Sequence, residues 1–376
     1  MDPWLAGAAP RVARVAEREL EALVGVSSPS GDLQGAEESV ALAAAFLPPE
    51  AEIERLECST PGYAPDVCGR LSGQGERRLL MLGHLDTVIA HSDHRPVERR
   101  EDRMVGSGTV DMKGGVALAL GIMRELADRP ELYAEVALLL VNDEEWRTHG
   151  FGHGPRFEGW DACFCFEAGE LTADGDDAVI VKRKAAGTLH VDAHGTPSHS
   201  GSAPEKGRSA LLALAATAQL VAARSDPAGP ERLTAVPTVL HAGDAFNVVP
   251  AQGQLICDLR AERLAAFDPL LEAVPAEIEG VRLESRLVRA WPGMDSRAET
   301  RALLEAASAR VGRPIAASER GGASDASHMA ALIPLTVDGL GPRGGGAHTP
   351  QEWVGVRSLH TRAEVALALV AALLDG

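Results

Sequence analysis

The chain has 376 residues, more than one ordinary hydrophobic core organises, so its length predicts two domains. Its apolar content of 45% is typical of a soluble globular protein, and no apolar run approaches the ~20 residues that a membrane-spanning helix needs. The net charge of -18 repels nucleic acid phosphates, and no basic stripe with interleaved aromatic residues offsets that repulsion. We therefore expect neither a membrane nor a nucleic acid partner.

Cysteine usage predicts a reducing compartment. Five is an odd number without zinc-finger or CxxC spacing, so we expect reduced and mostly buried thiols at Cys58, Cys68, Cys163, Cys165 and Cys257. The first residues, Met1-Asp2-Pro3-Trp4, have neither the basic nor the apolar segment of a signal peptide. Together these features predict a cytoplasmic protein.

Helix and strand patterns alternate in the first part of the chain. Apolar spacing predicts helices over residues 11–24, 37–47 and 114–126. Short apolar runs, typical of buried parallel strands, lie at residues 79–82, 136–141 and 162–166. This alternation predicts an α/β domain with a mostly parallel central sheet and helices on both faces.

The middle of the chain has a different pattern. Strands are predicted at residues 188–194, 238–241, 255–259 and 281–288, with helices at 209–223 and 264–273. The order β-α-β-β-α-β is that of a small ferredoxin-like α+β unit. Helices at 298–311 and 361–374 and a strand at 335–340 then restore the first pattern. We therefore predict a catalytic domain, residues 1–182 and 292–376, interrupted by an inserted lid domain, residues 183–291.

Acidic and imidazole side chains follow the predicted strands of the first domain. In an open α/β sheet, functional groups gather beyond the carboxyl ends of the strands, so groups that are scattered in sequence converge there. The candidates are His84, Asp86, Asp111, Glu144, Glu145 and Glu167. Glu167 is favoured over the nearby alternative Glu170 because it directly follows its strand.

These residue types suit a pair of metal ions. Imidazole and carboxylate are the ligands of catalytic zinc, and a carboxylate between two metals can hold both while a water between them becomes the nucleophile. A histidine ligand needs its second ring nitrogen held, and Asp86 is placed for that. The adjacent Glu144 and Glu145 can divide the roles of base and ligand. A further histidine, His348, lies in a glycine-rich loop.

Three motifs resemble those of a known family, the M20 metallopeptidases. They are Gly83-His84-Leu85-Asp86, the segment 106–115 around Asp111, and Asn142-Asp143-Glu144-Glu145. The family includes glutamate carboxypeptidases, acetylornithine deacetylase and succinyl-diaminopimelate desuccinylase. Matching motifs run in order from Ser28 to His348. After the glutamate pair, where the family usually has small residues, this chain has Trp146-Arg147-Thr148.

The resemblance implies a di-zinc exopeptidase-type catalytic domain with two Zn²⁺ per chain, with Co²⁺ or Mn²⁺ as alternatives. His84 and Glu167 would share one ion, Glu145 and His348 would bind the other, and Asp111 would bridge them. Glu144 would be the general base. Asp86 would orient His84.

The resemblance also assigns roles in the lid domain and implies dimerisation through it. His199, within Thr196-Pro197-Ser198-His199-Ser200-Gly201, would stabilise the oxyanion, in its own subunit or in a partner's. Asn247 and Arg260 would hold the substrate carboxylate, which arginine meets with two hydrogen bonds. The loop 321–325, with Gly322 and Ser324, would line the substrate pocket.

The sequence thus predicts an amidohydrolase that cleaves an N-acyl amino acid or short peptide beside a free carboxylate, nearest to the glutamate carboxypeptidases. A biosynthetic deacylase of N-acyl ornithine, lysine or diaminopimelate shares every metal residue and is the first alternative. A metal-free binding protein of the same fold is the second. We expect such a protein to lack a ligand or the base, and none is missing here.

Overall fold

The computed structural model describes residues 2–375 of the chain. The helices in this range are α1 (Pro3–Gly25), α2 (Leu33–Phe46), α3 (Gly114–Ala127), α4 (Ala210–Ala222), α5 (Asp268–Ala273), α6 (Arg297–Val311), α7 (Asp325–Ala330) and α8 (Val356–Leu374). None of these helices combines the length and the apolar character that crossing a membrane requires.

The strands in the same range alternate with these helices and cluster into four sheets. They are β1 (Glu52–Leu56), β2 (Asp66–Ser72), β3 (Arg78–His84), β4 (Glu98–Arg100), β5 (Arg103–Val105), β6 (Glu135–Val141), β7 (Ala162–Cys165), β8 (Glu170–Leu171), β9 (Asp177–Arg183), β10 (Ala185–His194), β11 (Thr234–Ala242), β12 (Gln252–Ala261), β13 (Glu277–Ile278), β14 (Val281–Trp291), β15 (Met294–Asp295), β16 (Ile315–Arg320), β17 (Thr336–Val337), β18 (Gly344–Gly345) and β19 (Trp353–Gly355).

The main sheet confirms the predicted α/β class. Its order is β1-β2-β6-β3-β7-β17, and β3, β6, β7 and β17 run parallel. The antiparallel β1 and β2 were not predicted, since the charged residues of β1 give no apolar run. The strand predicted at residues 335–340 is reduced to β17, which is followed by Gly339 at a φ of 70°.

The core of the first domain is built around two helices that bury most of their residues. Most residues of α3 and α8 are buried, as expected for helices at the centre of a core. The first helix begins earlier than the apolar spacing predicts. The Asp2 carboxylate accepts a hydrogen bond from the Trp4 backbone N–H at 2.8 Å and caps α1, which continues through Pro10.

Two compact domains divide the described chain. The first comprises the described residues up to Lys182, Asp295–Arg320, and the described residues from Ser324 onwards. The second comprises Arg183–Met294 with Gly321–Ala323, so its larger segment ends three residues beyond the boundary predicted at 291. In the second domain β10, α4, β11, β12, α5 and β14 follow in the order β-α-β-β-α-β, with the short β13 before β14.

The second domain has its own antiparallel sheet and core. The sheet order is β11-β12-β10-β14-β13, so β11 and β13 lie at the edges. Along β10, the side chains of Leu189, Val191 and Ala193 are buried, whereas Thr188, His190 and Asp192 between them are partly exposed. This alternation is the one that the sequence predicts for a sheet with one solvated face.

Close packing of α3 against the end of β7 generates a stability prediction. A Cβ added at Gly115 would lie 1.8 Å from the carbonyl oxygen of Phe166, the residue before Glu167. We expect G115A to lower the free energy of unfolding by about 1–3 kcal/mol, because a backbone atom must move to make room. Urea unfolding measures the loss.

The matched control is Gly25, also helical, whose added Cβ would meet nothing within 4 Å. We expect G25A to be neutral or to stabilise the protein by about 0.4–1 kcal/mol, because alanine restricts the unfolded chain. Equal unfolding midpoints for the two variants would contradict the packing argument.

Candidate metal and catalytic site

Two groups of potential metal ligands lie at the carboxyl ends of the parallel strands. One group is His84, Asp111 and Glu167, and the other is Asp111, Glu145 and His348. Within each group, one ligand atom per residue lies within 4.8 Å of the others. The structure therefore brings together all five side chains that the sequence predicts as ligands.

Asp111 belongs to both groups, and its two oxygens face opposite ways. Its Oδ1 lies 3.1 Å from His84 Nε2, and its Oδ2 lies 3.2 Å from His348 Nε2. Glu167 Oε1 is 3.7 Å from His84 Nε2, and Glu145 Oε2 is 3.3 Å from His348 Nε2. A carboxylate shared in this way has the arrangement of a bridging ligand between two cations.

The strands explain why these residues meet. His84 is the last residue of β3, the glutamate pair follows β6, and Glu167 follows β7, three neighbouring parallel strands. His348 comes from a loop and has a φ of 65°. The alternative Glu170 instead accepts a hydrogen bond from Arg320 at 2.9 Å.

Asp86 ties the first histidine to the glutamate turn. His84 Nδ1 lies 3.0 Å from the carbonyl oxygen of Asp86 and 3.4 Å from its carboxylate. The same carboxylate accepts hydrogen bonds from the backbone N–H groups of Glu144, at 3.2 Å, and Glu145, at 3.1 Å. With Nδ1 donating to the carbonyl, neutral His84 presents the lone pair of Nε2 to the site.

Charge crowding changes the protonation of the site residues. Burial alone would lower the pKa of His84, but hydrogen bonds with Asp111 and Asp86 hold it well above its usual value. Contacts with Asp111 and Glu145 raise the pKa of His348 to about 10. Burial would raise the pKa of Asp111, yet its contacts with the two histidines lower it. A cation that binds these histidines must displace protons from them.

Glu144 is buried and belongs to neither ligand group among the described residues. Burial raises its pKa well above the usual value, and the neighbouring Glu167, Asp325 and Glu145 add to the rise. A carboxylate with a raised pKa is a stronger base than an ordinary one, so it is better suited to take up a proton.

Glu352 supports the site and was not predicted. Its buried carboxylate accepts hydrogen bonds from three backbone N–H groups, those of Gly108 at 3.0 Å, Val110 at 2.6 Å and Asp111 at 2.8 Å. Burial raises the pKa of Glu352 to about 7. It therefore holds the turn that carries Asp111. Its only sequence signal is its place four residues after His348.

The predicted oxyanion residue, His199, is exposed on the second domain. Its Nδ1 accepts hydrogen bonds from the backbone N–H groups of Gly201 and Ser202, both at 3.1 Å. The neutral ring then carries its proton on Nε2, which suits a hydrogen-bond donor. Asn247 is also exposed, and its backbone carbonyl oxygen accepts a hydrogen bond from the Ser200 backbone N–H at 3.0 Å.

The remaining predicted substrate residues differ in exposure. Arg260 is partly exposed and donates two hydrogen bonds to Asp258, at 3.0 and 2.9 Å. Gly322 is exposed. Ser324, in the first domain, is buried, and its hydroxyl donates to Asp338 at 2.5 Å. Their roles in substrate binding stay predictions.

Comparison with known proteins places the chain among peptidases. Residues 80–372 match the model of Peptidase family M20/M25/M40. Carboxypeptidase G2 of Pseudomonas sp. (strain RS-16) is 26% identical over 375 residues, covering 94% of this chain and 88% of that protein. A succinyl-diaminopimelate desuccinylase of Stenotrophomonas maltophilia is 32% identical, covering 76% of this chain and 81% of that enzyme.

Solved structures share the fold. A tripeptidase from Staphylococcus aureus has a TM-score of 0.77 at 18% identity, covering 97% of this chain and 99% of that one. An M20 family metallo-carboxypeptidase from Sulfolobus solfataricus has a TM-score of 0.73 at 15% identity, covering 96% and 99%. With the family model and the desuccinylase match, the chain belongs to the M20/M25/M40 peptidase family and is a metal-dependent hydrolase of amide bonds.

Proposed function

We propose that this protein is a two-zinc amidohydrolase that releases an amino acid with a free carboxylate from an N-acyl amino acid or short peptide. The observation that carries the proposal is Asp111, whose two oxygens face two separate histidines. The resemblance to carboxypeptidase G2 over 94% of the chain favours a carboxypeptidase. N-acyl glutamates are its first candidate substrates, because the motifs resemble those of the glutamate carboxypeptidases.

The donor set fits two zinc ions. Nitrogen and carboxylate oxygen are the ligands of catalytic zinc, with Co²⁺ or Mn²⁺ as alternatives. The Oε1 atom of Glu145 is buried without a hydrogen-bond partner among the described residues, as expected of an atom that faces a cation. His84 and Glu167 would hold one ion, Glu145 and His348 the other, and Asp111 both.

The chain's own residues would perform the proton transfers. Bound metal ions would polarise the scissile carbonyl and make the attacking water more acidic. Glu144 would take a proton from the water as its oxygen attacks the carbonyl carbon. It would return that proton to the nitrogen as the C–N bond breaks. Nε2 of His199 would donate a hydrogen bond to the carbonyl oxygen as negative charge develops.

Substrate orientation would depend on Arg260 and Asn247, which we propose hold the free carboxylate. Arg260 already donates two hydrogen bonds to Asp258, so its remaining N–H groups would meet the substrate carboxylate. Gly322 and Ser324 would shape the pocket wall.

A second candidate function is the deacylation of N-acyl ornithine, lysine or diaminopimelate. The 32% identity with a succinyl-diaminopimelate desuccinylase favours it. It requires the same ligands and base, so only the side chain and acyl group that the pocket accepts separate the two activities.

The first experiment is hydrolysis of a substrate panel by zinc-loaded protein. The panel contains N-benzoyl-glutamate, the matching aspartate and leucine compounds, N-acetyl-ornithine, N-acetyl-lysine and N-succinyl-diaminopimelate. We expect turnover of the glutamate compound that a chelator abolishes and Zn²⁺ restores, because water activation needs the metal ions. E144Q, which removes the base, is expected to lower kcat by about 10²–10⁴-fold while keeping its zinc.

Other results of the substrate panel would change the proposed function. Turnover of the basic or succinylated compounds alone would replace the carboxypeptidase with the deacylase. Turnover without preference for acidic residues would remove the acidic preference only. Fewer than one bound ion per chain after zinc loading would favour the metal-free binding protein.

We also propose a homodimer formed through the second domain. Strand β11 lies at an edge of its sheet and exposes Val236, Val239 and Leu240. The neighbouring helix α4 exposes Leu211 and Leu212. An exposed apolar edge strand is a template for pairing with another strand, here the β11 of a second copy.

Val239 tests the dimer because its side chain is 50% exposed on β11. We expect V239K to shift the protein from dimer to monomer, since a charged lysine on an edge strand opposes pairing with another strand. Sedimentation velocity measures the change. The control is L171K, at a residue that is 48% exposed in the first domain and should leave the dimer intact. A monomeric wild type, or a dimeric V239K, would contradict the proposal.

Glu352 provides a test of the support beneath the metal site. E352Q replaces an oxygen that faces backbone N–H donors with an amide group, so the turn of Asp111 should loosen. We expect Zn²⁺ affinity to fall by about 10–100-fold, the usual effect of losing a residue that holds a ligand. Competition with a chromophoric chelator measures it. The control is E19Q, a buried glutamate of α1 paired with Arg124, which should bind zinc like the wild type.

The cytoplasmic location stays a prediction from cysteine usage. All five cysteines are free and buried in the structure.

A further inference from the structure

Arg147 is fully buried two residues after the glutamate pair. A buried guanidinium is costly unless several hydrogen bonds and opposite charges compensate it. Neither the ligand groups nor the proposed proton transfers use Arg147. Its contacts therefore point to a role outside metal binding and proton transfer.

The guanidinium joins two buried aspartates from distant parts of the chain. Its Nε and Nη2 donate to Asp143 Oδ1 at 2.9 and 2.6 Å. Its Nη2 also donates to Asp325 Oδ2 at 3.0 Å, and its Nη1 donates to the other oxygen of that carboxylate. The free oxygen of Asp143 accepts two hydrogen bonds from Thr60, at 2.9 and 2.7 Å. The guanidinium fork thus spans from the residue before Glu144 to the start of α7.

Aromatic rings close the other side of this arginine. The guanidinium carbon lies 4.9 Å from the centroid of the Phe151 ring, which is stacked on His328 of α7 and meets His153 edge-on. His153 Nε2 is 2.7 Å from the buried carboxylate of Asp66.

Asp66 also accepts a hydrogen bond from the Asn142 backbone N–H, at 2.8 Å. Asp66 therefore fixes the chain on both sides of the glutamate turn, before it at Asn142 and after it at His153. The segment between these two residues is held at its ends by Asp66 and in its middle by Arg147.

We propose that Arg147 is a positioning residue, whose bridge between Asp143 and Asp325 fixes the turn that carries Glu144 and Glu145. The inference rests on the proposed roles of Glu144 as base and Glu145 as metal ligand. The carboxylate of Asp86 holds the same turn by accepting hydrogen bonds from the turn's backbone N–H groups. Arg147 holds the turn through the side chain of Asp143. Without Arg147, two buried carboxylates would repel each other beside the site, and the turn would move.

The metal ion itself is the best probe, since it reports the position of Glu145 without any substrate. Co²⁺ titration of metal-free protein, followed by visible absorption, compares the wild type with R147M and R147K. We expect R147M to bind at least one Co²⁺ about 10–100-fold more weakly. R147K should fall between them, because lysine keeps the charge but loses the planar fork.

The control is R124M, which removes an arginine of the first domain that is partly buried and, like Arg147, is paired with a buried carboxylate. Arg124 pairs with Glu19 at 2.8 Å and donates to the Phe46 carbonyl, away from the ligand groups in sequence. We expect thermal unfolding to show a loss of stability in R124M as well as in R147M, so R124M separates general destabilisation from positioning. We expect it to bind Co²⁺ like the wild type.

Steady-state kinetics on the turned-over panel substrate gives a second readout. Arg147 is buried and makes its contacts with protein groups, so R147M should lower kcat by about 10–100-fold and leave KM unchanged. A residue that contacts the substrate would change KM instead.

D325N provides a milder variant in case R147M does not fold. It removes the negative charge of one partner of Arg147 and keeps Asp143, so Co²⁺ affinity and kcat should fall less than in R147M. Wild-type Co²⁺ binding and wild-type kcat in folded R147M, or in D325N if R147M is unfolded, would overturn the inference.

The outcomes also separate this inference from the proposed function. E144Q with wild-type turnover would remove the base role, and the inference with it. Inactive E144Q together with unchanged R147M would remove the positioning role of Arg147 alone.

Discussion

Repulsion between carboxylates is the constraint on which this site depends. Asp111 takes part in both ligand groups, Glu145 and Glu167 complete them, and Glu144 is buried beside them. Buried charges of one sign persist only when cations or donors compensate them. Two histidines supply part of that compensation, and their raised pKa values show how strongly the site attracts positive charge. Divalent cations would satisfy the same demand with more charge.

The supports around the site use a different kind of partner. Asp86 and Glu352 are themselves acidic, yet each turns its oxygens towards backbone N–H groups. An acid held in this way fixes the position of a turn without taking a metal ion. The ligands Asp111 and Glu145 thus gain directional support from the chain beneath them, which is how residues behind a metal site maintain its geometry.

Site residues could be predicted from the sequence where they come soon after a predicted strand. His84, Glu145 and Glu167 come within four residues of the end of an apolar run, so the strand ends and their convergence could be predicted from spacing. Glu352 and Arg147 could not be found in this way, since their partners are remote. Glu352 and Asp111 are 241 positions apart, and Arg147 and Asp325 are 178 apart. A hydrogen bond across such a separation leaves no periodicity in either segment.

Some helices and strands were predicted with wrong boundaries or not at all, and the reasons are physical. Pro10 resembles a helix break, yet α1 runs through it because the helix is capped at Asp2 and packs against α3 and α8. Tertiary packing overrides local propensity in such cases. The antiparallel β1 has glutamate and arginine at most positions and gives no apolar signal. It pairs with the next strand, β2, but the β1 segment itself gives no sign of that pairing.

Arg147 shows why a buried ion pair can be retained where an apolar cluster would fill the same space. Apolar side chains of similar volume are often as stabilising as a buried salt bridge, so stability alone does not account for the arginine. Apolar contacts, however, tolerate small rotations. The fork of Arg147 meets Asp143 and Asp325 along fixed hydrogen-bond directions, which restricts such rotations in the adjacent turn. The two glutamates of this turn must reach defined positions. Fixing the orientation of the turn therefore matters more here than adding stability.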